Sequence, residues 1–183
     1  MNVKIKAIKW PREEDWMLCK ECALVTVGKE GAGAPSAKWR HAMLQARHSP
    51  IRVLQFAFLL EDLPYYISTH LARHVHAQPF IRTQRNDRQG KYDRRAARQD
   101  APVDMIWCMN AEELMTIAEK RLCMQADANT RAVVRMMCTL AVDKCPELEG
   151  LLGAPCKLTG RCREMTPCYK GRRLQAGEAM DDQ

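Results

Sequence analysis

No stretch of this chain approaches the roughly 20 consecutive apolar residues that a membrane-spanning helix needs, so an integral helical membrane protein is excluded. The opening MNVKIKAIKW has no apolar signal core, and a cytoplasmic protein is expected. Internal repeats and low-complexity tracts are absent as well. The nine cysteines are an odd number and follow no secretory leader. They read as reduced thiols or metal ligands rather than as a disulfide framework.

What is present suits a single globular domain. The chain has 183 residues, 46% hydrophobic and 28% charged, enough to bury a core. The net charge is +7. Between residues 73 and 98, Arg73, Arg82, Arg85, Arg88, Lys91, Arg94, Arg95 and Arg98 face only Asp87 and Asp93, so nearly all the excess lies in one segment. A focused cationic site favours a phosphorylated ligand, with a nucleic-acid patch as the rival.

The order of elements predicts an α+β domain with a small, largely antiparallel sheet over residues 1–170, and a disordered tail over 171–183. VKIKAIKW reads as a strand. PREEDWMLCKECALVTVG reads as a helix with Pro11 and acids at its start and Gly28 at its stop. Ser36 caps a helix to about Arg47, IRVLQFAFLL (51–60) reads as a strand, and Pro64 opens a helix through His76. On that helix His70, Arg73 and His74 share a face. PFIRTQR reads as a strand in which Thr83 and Arg85 point the same way. The two faces can converge on one anion. Asn110 and Glu113 have capping-box spacing, Arg121 falls on or beside the apolar stripe of that helix, and a long helix follows over 128–143.

Three segments resemble the flavin-dependent thymidylate synthases. RHVHAQPFIRTQR fills the frame of the signature R-H-R-x-x-S-x-N-E-x-S-x-R, with Arg73, His74 and Arg85 matching and Thr83 in place of serine. ARHSPIRVLQFAF resembles the H-x-S-P-x-E-H segment through Ser49 and Pro50. NAEELMTIAEKRLCMQADANTR resembles the family's late helix pair through Asn110, Ala111, Leu114, Arg121 and Ala126. The resemblance spans residues 46–142. The chain departs from the pattern at Arg52, Val75, Gln78, Phe80, Ile81, Thr116 and Gln125.

The resemblance implies reductive methylation of dUMP to dTMP, with methylenetetrahydrofolate as carbon donor, NAD(P)H as electron source and FAD as hydride carrier, in a homotetramer. It implies that His70, Thr83, Gln84, Arg85 and Arg98 bind the nucleotide, that Arg121 contacts the pyrimidine and acts in catalysis, and that Ser49, Arg73, His74 and Asn110 line the flavin. A planar guanidinium fork suits a phosphate. Nucleic acid is not the expected ligand. A relative transferring another one-carbon group, such as hydroxymethyl, and a non-catalytic nucleotide- or nucleic-acid-binding protein remain the alternatives.

CKLTGRCREMTPC places Cys156, Cys162 and Cys168 at C-x5-C-x5-C, wider than common zinc or iron–sulfur spacings. Plain thiols and a zinc or iron–sulfur site both stay open, with Cys123 or Cys145 as a possible fourth ligand.

Overall fold

Alternation of apolar and polar residues builds a four-stranded antiparallel sheet in the order β1-β2-β4-β3. The structure is a computed structural model and describes residues 2–83 and 95–177. In chain order the described elements are β1 (Lys4–Lys9), α1 (Glu13–Thr26), α2 (Ala37–Ala46), β2 (Gln55–Pro64), α3 (Tyr65–Leu71), β3 (Gln78–Ile81), β4 (Pro102–Asn110), α4 (Ala111–Arg121), α5 (Ala128–Lys144), α6 (Pro155–Thr159) and α7 (Tyr169–Gln175). The expected α+β architecture is the one observed.

The sheet has two unlike faces. Phe56, Phe58 and Leu60 of β2 alternate inward with Met105, Trp107 and Met109 of β4, and all six are essentially inaccessible. They meet Trp16 and Cys19 of α1, Leu44 of α2, Ile67 and Leu71 of α3, and the apolar stripes of α4 and α5 in one core. Burying such a side chain contributes about 1.5–3 kcal/mol. On the opposite face Leu59, Ile106 and Phe80 form a row across β2, β4 and β3. No described helix covers this row: Phe80 is 63% exposed and Ile106 37%.

Local signals set the helix ends. Ser36 Oγ accepts from the Trp39 amide at 3.3 Å and starts α2, as its sequence position predicts. Arg40 fastens α2 to the rest: it pairs with Glu13 of α1, reaches Glu147 at 3.5 Å and lies over the Trp16 ring.

Four expectations need correction. Residues 49–53 form a 3-10 turn and the strand begins at Gln55, because Pro50 opens a helical turn rather than a ladder. The helix after Pro64 ends at Leu71, short of His76. The strand PVDMIWCMN, absent from the expected elements, is β4 and lies between β2 and β3. Finally, residues 171–175 of the expected disordered tail belong to α7.

Candidate active site

Helix α4 carries the centre of the site. Asn110 at its N-cap accepts from the Glu113 amide at 2.9 Å through Oδ1, so half of the expected capping box exists. The other half is diverted. The Glu113 carboxyl, 6% exposed, faces His74 Nδ1 at 3.4 Å. At the other end of α4, Arg121 Nε donates to His74 Nε2 at 2.9 Å, and its Nη2 donates to the His70 carbonyl at 2.7 Å.

These contacts fix the state of His74. A guanidinium only donates, so Nε2 must accept and the ring proton sits on Nδ1, towards Glu113. Burial, reinforced by the charges of Arg121, Arg73 and Lys120, pushes the imidazole pKa down to about 4. His74 is therefore neutral near pH 7, and the His74–Glu113 contact is not an ion pair at that pH. Burial also moves the Glu113 carboxyl above the usual range. Burial and Arg73 weaken the proton affinity of Arg121, but an arginine stays charged in proteins.

Among the described residues Arg121 has no carboxylate partner. Glu113 faces His74, and Glu119 pairs with Arg47. A half-buried cation held by a carbonyl and a neutral imidazole keeps an unbalanced charge, and an anion is the natural complement.

His70 faces α5: its Nδ1 lies 3.0 Å from Thr130 Oγ1, which in turn donates to Asp127 Oδ2 at 3.0 Å. Thus His70 and His74 both converge on Arg121, one through its carbonyl and one through its ring. Arg73, expected on the same face, is exposed.

Glu113 also lines a cavity of about 510 Å³ with Arg52, Val75, His76, Gln78, Asn110, Glu112 and Thr116. Of the residues expected around a flavin, Asn110 lines it. Ser49 is exposed at the start of the 3-10 turn, and Arg73 and His74 are not part of the lining. Instead Arg52, Val75, Gln78 and Thr116, four positions where the chain departs from the signature, form the wall. Sequence reasoning treated Glu113 only as a cap. Its burial and its partner His74 were not visible, though a carboxylate in an apolar stripe was the available signal.

The expected phosphate grip is only partly described. Thr83 is half-buried two residues past the end of β3, which stops at Ile81 short of the expected strand, and Gln84 and Arg85 lie outside the described residues. Arg98 does not reach into the site. It is 83% exposed and grips Asp100 with both Nε and Nη2, at 2.8 and 2.9 Å. Cys156, Cys162 and Cys168 are all free thiols on the C-terminal side of the molecule. Among the described residues no helix is long and apolar enough to cross a membrane.

With this geometry in view, the comparisons are informative. Residues 93–147, which include β4, α4 and all of α5, match the family described as thymidylate synthase complementing protein. A search of curated protein sequences finds no match. Among solved structures, thymidylate synthase X (ThyX) from Helicobacter pylori with FAD and dUMP is similar at 11% identity and TM-score 0.62, covering 86% of this chain and 99% of that one. A second structure of that enzyme, flavin-dependent thymidylate synthase complexed with FAD and dUMP, gives 12% identity, TM-score 0.67, and coverage of 81% and 99%. The fold is that of the flavin-dependent thymidylate synthases. The three-segment resemblance seen in the sequence coincides with it.

Whether this chain suits FAD can be tested on the cavity itself. Gln78, Asn110, His76 and Thr116 offer the mixed donors and acceptors that a polar planar ring needs. A diphosphate is not matched there, because Arg52 is neutralised by Glu112 and Glu113 adds another carboxyl. Among the described residues, the lining of this cavity fits the ring of a flavin and not its diphosphate.

Proposed function

We propose that this protein is a flavin-dependent thymidylate synthase-like enzyme that binds a deoxyuridylate-type nucleotide and transfers a one-carbon unit to its pyrimidine. The observation that carries the reading is Arg121, a half-buried guanidinium without a carboxylate partner among the described residues, joined through His74 to a carboxyl on the wall of a ring-sized cavity. Arg121 meets the anionic edge of the pyrimidine and stabilises charge that grows there. His74 and the His70 carbonyl hold its fork in place. Thr83, Gln84 and Arg85 take the phosphate, with His70 beside the nucleotide. Gln78, Asn110, His76 and Thr116 would hold the flavin ring, and a reduced flavin bound there supplies a hydride. Methylenetetrahydrofolate is the proposed carbon donor and NAD(P)H the electron source, with dTMP as product.

The assembly proposed is a homotetramer. One feature supports it: the row of Leu59, Ile106 and Phe80, which no described helix covers. A second reading, a nucleotide-binding protein without flavin chemistry, is favoured by the charge-cancelled Arg52–Glu112 pair at the cavity.

Calorimetric titration with dUMP and flavin absorbance on the purified protein test both readings. Arg121→Ala should weaken dUMP binding ten- to hundredfold, as loss of a charged hydrogen-bond donor worth about 1.5–3 kcal/mol predicts. Equal dUMP affinity in wild type and variant would overturn the nucleotide site. Normal dUMP binding in a protein that cannot be reconstituted with FAD would leave the binder.

A further inference from the structure

Three segments far apart in the sequence meet beyond the C-terminal end of α4. Cys123 lies two residues after Arg121 and is buried. Gln125 Nε2 donates to the Thr166 carbonyl at 2.5 Å, which ties this turn to the segment between α6 and α7. Leu122 and Lys157 line the same cavity of about 370 Å³, so the turn also stands beside α6, which carries Cys156. Cys162 packs on α7 so closely that a Cβ added at Gly171 would come within 2.7 Å of its sulfur. Cys168 is the N-cap of α7, and Gln175 reaches back to the Glu164 carbonyl at 3.3 Å.

Cys123, Cys162 and Cys168 all lie near enough to Cys156 to act on its thiol. Cys145, the other candidate fourth ligand, is engaged elsewhere: it is buried and its Sγ contacts Glu147 Oε2 at 3.4 Å.

We propose that Cys123, Cys156, Cys162 and Cys168 form a four-thiolate metal site that fastens α6 and α7 to the end of α4. Four sulfur ligands suit tetrahedral zinc or an iron–sulfur cluster. Among the described residues no group of three or more His, Cys, Asp or Glu stands ready-made as a cage. Closing on a metal would need the four side chains to rotate from their present positions. Each ligand is a thiolate, so loading with zinc releases the thiol protons. The site would anchor the turn that immediately follows Arg121. It stands independently of the proposed nucleotide chemistry.

Metal analysis of the full chain, purified without oxygen or chelator, tests this. About one zinc per chain, or about four iron with matching sulfide and visible charge-transfer absorbance, is the expected result, and the two outcomes tell zinc from a cluster. Cys156→Ser and Cys168→Ser should lose the metal, whereas Cys22→Ser on α1 should keep it. Three results would overturn the site. The first is a metal-free protein that takes up neither zinc on titration nor a cluster on anaerobic reconstitution with ferrous iron and sulfide. The second is four freely titrating thiols in the freshly prepared chain. The third is full metal retention in both serine variants, which circular dichroism would show to be folded.

Discussion

Acidification from pH 7 to pH 5 should reveal the buried neutral imidazole of His74. Its ordinary pKa of about 6.5 applies in the unfolded chain, while in the folded protein it is pushed down to about 4. Above pH 6.5 the ring is neutral in both states and contributes no pH dependence. Below it the unfolded chain takes up a proton that the folded site refuses, so stability falls as pH drops, by up to about 1.4 kcal/mol per pH unit, until the folded pKa is reached. Summed from pH 7 to pH 5, this is about 2 kcal/mol. Glu113 works in the opposite sense, because its raised carboxyl takes up a proton earlier in the folded state than in the unfolded one. That contribution remains in a His74→Gln variant and largely drops out of the difference. Urea melts of both proteins at the two pH values are the assay. Wild type should lose about 2 kcal/mol more than the variant over this interval. Equal losses would show that His74 is not held neutral, and the proton assignment on Nδ1 would fall with it.

Two further outcomes follow from the fold. Ser36→Ala removes the side-chain acceptor at the start of α2 and should cost about 1 kcal/mol in a urea melt; no change would mean that the cap is idle. Phe80→Glu places a charge in the uncovered row on the sheet and should shift light scattering towards smaller species without lowering the melting temperature; an unchanged oligomer would remove that face from the proposed assembly.

Parts of this structure were legible in the sequence because one local signal decided each. Ser36 and Asn110 mark helix starts by their own side-chain chemistry, and both caps are present. The strand β4 was legible too, yet was missed. Val103, Met105, Trp107 and Met109 alternate strictly with less buried neighbours, but methionine has weak strand preference and masks the pattern. The convergence of His70 and His74 followed from their spacing, whereas the route did not: His70 acts through its backbone carbonyl, which no side-chain pattern encodes. The surroundings of Glu113 were hidden for a physical reason. They are defined by a partner more than thirty residues away, His74, and such a pairing arises only from tertiary packing. Arg98 misled in the opposite direction. Its spacing before Pro102 matched a pattern, while Asp100, two residues on, captured its guanidinium.

Helix α4 also acts as a gauge. Glu113 on the cavity wall and Arg121 at the anion-seeking end are eight residues apart on one α-helix, a rise of about 12 Å. His74 touches both, so it checks that distance at every folding event. Deleting a single residue between them would turn Arg121 by about 100° around the helix axis and take its guanidinium away from His74 Nε2. Surface loops elsewhere can lengthen with little penalty, but this segment cannot. The separation between a ring in the cavity and an anion at Arg121 is thus written into covalent helix geometry. A ligand pair with different reach would have to be met by new loops around α4, with the helix itself unchanged.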